Sequence, residues 1–318
     1  MLVAALLGVV GCLGFIAWHI LSDIKAEQGY EEAGALVTQS QDENTSIENP
    51  GDASTAESVL TVEEIEAAEF TGEREGEEAP LPADIFSGLN GRVDFDALNE
   101  INRDLFAWIY INDTNIDYPI AQHPVEDDFY LNHDMYGDAR FAGCPYIRLS
   151  NKNDFSDPNT VVYGHNMKSG SMFSTLHYFQ NGDFFASHPY IYVYTSDKIL
   201  VYEIFAARFF TDDDLLVKYN FADPVSYQKF IDDIYNNKSM RNNIRNEVDV
   251  TINDRILTLS TCVGGSPAER FLVHGKLLWE GNEAELEEAQ RKIEEGTLES
   301  QAAANPVPEA YVGDEGAN

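Results

Sequence analysis

A thiol and a permanent cation stand close together in the stretch Thr258-Leu-Ser-Thr-Cys-Val-Gly-Gly-Ser-Pro-Ala-Glu-Arg270. The residues before it, Val248-Asp-Val-Thr-Ile and Arg255-Ile-Leu-Thr-Leu, are β-branched and apolar and read as strand. Cys262 then falls at a strand end, where a loop can expose its sulfur. Arg270 opens a second strand-like run, Arg270-Phe-Leu-Val-His-Gly-Lys-Leu-Leu-Trp279. Two neighbouring strands can hold the thiol and the guanidinium side by side, an arrangement suited to acyl transfer through a thioester. Such a nucleophile needs a partner that removes its proton or holds it as thiolate. Of the 7 histidines, His165 has the most suggestive setting, past a strand, beside a glycine and in a polar loop. His274 alternates along its strand and could face either side. His123, His133, His177 and His188 fall in loops or at element ends, with no catalytic context. Taken singly, any of them is more often structural.

The elements that must position these groups are mostly short strands. Ile109-Tyr-Ile, Ile116-Asp-Tyr-Pro-Ile, Tyr146-Ile-Arg-Leu, Thr160-Val-Val-Tyr, Tyr190-Ile-Tyr-Val-Tyr and the long run Ile199 to Phe210 lie between turn residues, a spacing that points to a barrel or sandwich. Val93 to Trp108 carries apolar residues at helical spacing and reads as one helix or two short ones. A helical stretch over 223–235 interrupts the strands. It opens Asp223-Pro224, a cap followed by a first-turn proline, and places Val225, Tyr227, Phe230, Ile231 and Ile234 largely on one face.

Charge separates the flanks from this centre. The formal net charge is -35 over 318 residues. Residues 23–91 carry 18 acids against Lys25 and Arg74, and 281–318 carry 10 against Arg291 and Lys292. No basic patch is available for phosphates, so nucleic acid is not an expected partner. Residues 1–22 form an apolar run long enough to span a bilayer as a helix, read as an uncleaved anchor rather than a signal peptide. No Lys or Arg precedes the run and Lys25 follows it, a count that bears little on orientation. The expected organisation is anchor 1–22, acidic flexible linker 23–91 with a fragment of helix at 61–69, catalytic domain 92–280, and an acidic helix over 282–297 followed by a disordered tail to 318. Three cysteines make a disulfide framework unexpected. Cys12 reads as a passive hydrophobe, Cys144 as a small core residue, and a Cys144–Cys262 bridge is disfavoured.

Taken in order, Val161-Val-Tyr-Gly-His-Asn-Met167, Thr258-Leu-Ser-Thr-Cys262 and Arg270 before Phe-Leu-Val-His-Gly-Lys-Leu closely resemble the sortases. Tyr163-Gly-His-Asn-Met-Lys-Ser-Gly-Ser-Met-Phe173 resembles class B in particular, as do Tyr130-Leu-Asn-His-Asp, Phe184 to Thr195, Tyr202-Glu-Ile-Phe and the helix before the cysteine strand. The resemblance covers about 92–280 and implies a mainly β fold, a closed eight-stranded barrel with N-terminal helix and the inserted helix near 223–235. It implies a cysteine transpeptidase. Cys262 would attack the threonine carbonyl of a sorting signal. His165 would protonate the leaving amine and later deprotonate the incoming one. Arg270 would hold the oxyanion and the substrate backbone. Leu131 and Ser260 would line the peptide groove. No metal or organic cofactor is required.

The partners implied are secreted proteins with a C-terminal sorting motif, Asn-Pro-x-Thr-like, and a cell-wall amine as acceptor, with the catalytic domain on the outer face of the membrane. A pilin polymerase on the same scaffold, using a protein lysine, is the alternative, and a catalytically silent scaffold barrel is a more distant one. Papain-like chemistry also pairs Cys with His but orients the pair with Asn or Asp rather than an arginine. No Asp-Pro-aromatic lid stands in 23–91 and no second apolar span follows the domain, which separates the chain from class C. The loops over 125–133 and 211–245 are expected to read the substrate.

Overall fold

The computed structural model describes residues 81–304 apart from Asn90 and Lys238, together with 29–30, 33–34 and 37–38. The expected anchor at 1–22, the helix fragment at 61–69 and the tail beyond 304 lie outside the described residues. No helix among the described residues is long and apolar enough to cross a membrane.

Two short strands, β1 (Val37–Thr38) and β2 (Arg92–Val93), pair with each other. Helix α1 (Phe95–Ile101) follows, its N-cap Asp94 accepting from the Ala97 amide. Then come β3 (Leu105–Tyr110), β4 (Asp117–Ala121), β5 (Asn159–Tyr163), α2 (Gly182–Ser187), β6 (Tyr190–Thr195), β7 (Ile199–Thr211), α3 (Leu215–Lys218), α4 (Pro224–Tyr235), β8 (Asn243–Ile244), β9 (Ile256–Val263), β10 (Ser266–Gly281) and α5 (Glu283–Ala304). The main sheet has 8 strands in the order β4-β3-β6-β7-β10-β9-β5, with β8 against β7. Every pairing in it is antiparallel except β5 with β9.

The sheet curls until its edge strands meet through one short segment. Tyr146 and Tyr163 exchange backbone hydrogen bonds of 3.0 and 2.8 Å, while Ala121 donates to Pro145 and accepts from Ile147. The strand expected at 146–149 is thus reduced to this bridge, because a turn closes at once from Asn151 to the Arg148 carbonyl.

The curl creates two apolar faces. The inner one holds Leu257, Leu259, Phe271 and Val273 of β9 and β10. The outer one holds Val161, Ile256 and Leu272 under α4, whose Tyr227, Phe230, Ile231 and Ile234 are buried. Each such side chain contributes about 1.5–3 kcal/mol of transfer free energy. Tyr227 also donates to the Asp254 carbonyl at 2.6 Å, tying α4 to the turn that leads into β9.

Four other expectations need correction. The helix read over 93–108 stops at Ile101, and Leu105–Tyr110 is strand, because it has partners on both sides in β4 and β6. Val248, Val250 and Ile252 are buried beneath the outer face as irregular chain, not strand. The ordered body begins before residue 92: Ile85 and Phe86 enter the core, and Phe86 packs edge-on against Trp279. Tyr30 also reaches it, donating to the Gly143 carbonyl at 2.6 Å. Helix α5 extends to Ala304, past the expected end at 297.

Candidate active site

Strand alternation places Cys262 and Arg270 on one face, and His165 follows the neighbouring strand β5. Thr258, Ser260 and Cys262 alternate along β9 with the inward Leu257 and Leu259. On β10, Arg270 shares the face of Leu272 and His274, and it is the direct cross-strand partner of Cys262. Strand β5 runs parallel to β9 with Tyr163 beside Ser260, so His165 and Cys262 follow that pair at equal steps. The chain thus brings a half-buried imidazole, an exposed thiol and a half-buried guanidinium to the same end of three adjacent strands.

Local backbone chemistry fixes each of them. Val263 pairs with Ser266 around Gly264-Gly265, a two-residue hairpin in which Gly265 takes φ +80°. The register then shifts, leaving Pro267 to Glu269 as a bulge where a proline does not interrupt the ladder. Arg270 Nη1 donates to the Pro267 carbonyl at 2.9 Å and to the Glu269 carbonyl at 3.1 Å. The guanidinium therefore braces its own bulge, and among the described residues Nε and Nη2 have no hydrogen-bond partner.

His165 sits in a tight loop. Its carbonyl accepts from the Phe173 amide at 2.9 Å. Gly164 before it has no room for a side chain, since a Cβ there would lie 2.6 Å from the Phe173 ring. Met172 closes the loop at φ +55°, a conformation costing about 1–2 kcal/mol in a non-glycine residue, and its amide is held by the Tyr118 hydroxyl at 3.0 Å. The His165 ring donates from Nε2 to the Leu131 carbonyl at 2.8 Å and stacks on Phe141 at 5.1 Å. Nδ1 is the nitrogen left for proton exchange.

Leu131 is exposed, and it meets His165 through its backbone as well as offering an apolar side chain. Ser260 is buried on the floor between β5 and β10, its carbonyl accepting from Gly164 at 3.0 Å. The loops over 125–133 and 211–245 are joined through Arg148. It donates from Nε to Asp128 at 2.9 Å, pairs through Nη1 with Asp214 at the start of α3, and covers the Tyr163 ring at 4.8 Å.

Cys144 is buried and Cys262 exposed, both as free thiols. Burial pushes the Cys144 thiol well above its usual range, so it is no competing nucleophile. Among the described residues no group of three or more His, Cys, Asp and Glu side chains could hold a metal ion.

Three residues at the site escaped sequence reasoning. Phe141 stacks on His165 from a distant loop. Asn166 donates to the Cys262 carbonyl at 2.9 Å. His177, on a 3-10 helix over Phe173–Gln180, has Nε2 3.1 Å from the same oxygen. Asn166 was within sight as the neighbour of His165, whereas nothing near His177 in sequence marks it.

The chain matches the family model described as Sortase domain over residues 109–278. It is 33% identical over 196 residues to sortase B of Listeria monocytogenes, covering 60% of this chain and 78% of that protein. It is 32% identical over 189 residues to sortase B of Staphylococcus aureus, covering 59% and 75%. Among solved structures, sortase B of Clostridium perfringens superposes with a TM-score of 0.53 at 33% identity, covering 58% of this chain and all of that one. A sortase B–substrate complex of Staphylococcus aureus superposes with a TM-score of 0.51 at 30% identity, covering 58% and 84%. The curled sheet, the helix laid across its outer face and these matches agree, and the chain belongs to the sortase family of cysteine transpeptidases, in its class B.

Proposed function

We propose that this protein cleaves a C-terminal sorting signal of secreted proteins, Asn-Pro-x-Thr-like, and joins the new carboxyl group to a cell-wall amine. The observation that supports it most is the register pairing of Cys262 with Arg270, with His165 alongside in the parallel strand. The Cys262 thiolate attacks the threonine carbonyl. The tetrahedral oxyanion takes N–H donors from the free edge of Arg270. Collapse breaks the C–N bond, and His165 gives its proton to the leaving amine. The acceptor amine then attacks the thioester, His165 takes its proton, and an amide forms as the thiolate leaves. With Nε2 engaged by Leu131, Nδ1 is the atom that carries these protons. Leu131, Ser260 and the loops joined by Arg148 line the peptide groove. The apolar segment 1–22 anchors the domain on the outer face of the cell membrane.

The test is a peptide library incubated with the protein and read by mass spectrometry, with and without amine acceptors. Cleavage at a Thr-x bond is expected, with an acyl adduct on Cys262. The Cys262→Ala protein is expected to cleave nothing and transfer nothing. Full activity of that variant would overturn the mechanism.

A further inference from the structure

The carbonyl oxygen of Cys262 is the meeting point of two side chains from different parts of the fold. Asn166 Nδ2 donates to it at 2.9 Å and His177 Nε2 stands at 3.1 Å. A carbonyl has two lone pairs, so both donors are accommodated. The hydrogen-bond partner on the far side of the His177 ring sets its proton. The Gln180 carboxamide nitrogen lies 2.6 Å from Nδ1 and donates to it, which leaves the hydrogen of the neutral ring on Nε2; Asn166 Nδ2 lies 3.0 Å from Nε2, so the two nitrogens meet the Cys262 oxygen as a pair of donors rather than bonding to each other. Burial lowers the pKa of His177 from its ordinary value, the bond to Cys262 opposing this, and the ring stays neutral near pH 7.

His177 is itself firmly placed. The 3-10 helix Phe173–Gln180 buries Phe173, Leu176 and Phe179 in the barrel core, and the His177 ring stacks on Phe271 of β10 at 5.0 Å. Asn166 directly follows His165, so its bond to Cys262 joins the loop of the proton carrier to the strand of the nucleophile. His177 joins that junction to the core. Among the described residues no hydrogen bond between the His165 and Cys262 side chains performs this task. Their spacing is held through the Cys262 backbone instead.

We propose that His177 is a positioning residue for the transpeptidation: with Asn166 it clamps the carbonyl of Cys262 and so fixes the sulfur at a working distance from His165. The proposal rests on Cys262 and His165 as the reacting pair. It predicts a defect in the chemical step rather than in substrate binding, because His177 acts behind the groove. Misplacing a reacting atom by an ångström costs up to about a hundredfold in rate.

The experiment compares His177→Phe with His177→Gln in the full chain. Phenylalanine keeps the stack on Phe271 but has no donor, whereas glutamine places an N–H near the position of Nε2. His177→Phe is expected to lower kcat about 20-fold with KM within about twofold, and His177→Gln to recover most of the loss. Wild-type kcat in the Phe variant, or equal impairment in both, would overturn the proposal. Nitrogen-15 NMR of the wild-type protein supplies a test independent of any variant. The Nε2–H tautomer of His177 is expected, and a ring protonated on Nδ1 alone would overturn it. Activity surviving in Cys262→Ala would instead strike the reading of the reacting pair, so the two failures are distinguishable.

Discussion

The same two strands carry a buried polar network in their middle and a more exposed set of polar groups at their end. In the middle, Arg208 Nε donates to His274 Nε2 at 3.1 Å, His274 Nδ1–H to the Thr258 hydroxyl at 2.9 Å, and Thr258 to Asn159 Oδ1 at 2.8 Å. All four side chains are buried. At the end, among the described residues, the side chains of Cys262, Arg270 and His165 form no hydrogen bonds with one another. Arg270 and His165 are held instead by backbone carbonyls, and Cys262 is held through its own. The middle commits the His274 ring and the Thr258 hydroxyl to Arg208 and Asn159, while Arg208 Nη2 and Asn159 Nδ2 are buried with no partner among the described residues. The end orients its side chains from behind and leaves Sγ, Nδ1 and the edge of the guanidinium uncommitted for substrate.

The largest effect that would test this division falls at Arg270. Lysine there keeps a charge but has no fork. It cannot brace the bulge through one nitrogen and present others to an oxyanion. Arg270→Lys is expected to lower kcat by about 10²–10³-fold, about 3–4 kcal/mol of transition-state stabilisation, as loss of an oxyanion donor does elsewhere. Its melting temperature should stay close to wild type. Wild-type turnover in this variant would remove Arg270 from the chemistry.

The converse experiment is His274→Leu. It leaves Arg208 Nε without its partner inside the barrel, where a stranded group costs about 1–3 kcal/mol and more when it is charged, while the Thr258 hydroxyl keeps its bond to Asn159. A loss of about 3 kcal/mol should lower Tm by about 6–12 °C in a domain of this size, while kcat of the folded protein stays within about twofold. A fall in kcat with unchanged Tm would show that the middle of the strands is part of the chemistry and break the comparison.

The sequence exposed the end of the strands better than their buried middle, and the reason is physical. A reactive thiol needs an exposed strand end, a proton carrier and a cation, and Cys262, His165 and Arg270 are residue types whose neighbourhoods advertise that need. The strands at 160–163, 190–194 and 199–210 and the helix at 224–235 were legible because their periodicity and caps agree with their burial. Leu105 to Tyr110 was not, because its apolar residues also fit a helical stripe. The structure ends α1 beforehand, where Asn102 turns its carboxamide to Tyr130 at 2.7 Å and β4 and β6 claim the residues that follow. Val248 to Ile252 alternates like a strand, but Thr251 and Asp254 form a side-chain-capped turn there, with Asp254 Oδ2 accepting from the Thr251 amide at 2.8 Å. His177 and His274 could not be sorted from the sequence, since each depends on partners distant in the chain.

The smallest effect is the pH dependence that His274 lends to stability. Burial, reinforced by the charge of Arg208, holds the pKa of His274 well below the ordinary value of 6.5. The unfolded chain therefore takes up this proton at a higher pH than the folded one. The stability that the neutral ring contributes is complete above pH 6.5 and is lost as pH falls through the window between the unfolded and folded values. The slope approaches 1.4 kcal/mol for each pH unit within that window. The groups facing the ring are Arg208 on β7, Thr258 on β9, and Phe205 and Phe230, so no carboxylate is at hand to rescue its charge. Melting curves from pH 7.5 to pH 5 should show the wild type losing more stability than His274→Gln, which has no proton to gain. Carboxylates elsewhere titrate alike in both proteins and cancel in the difference. Equal slopes would mean that the middle network admits an imidazolium, and with it that the middle of β9 and β10 is less firmly enclosed than its burial implies.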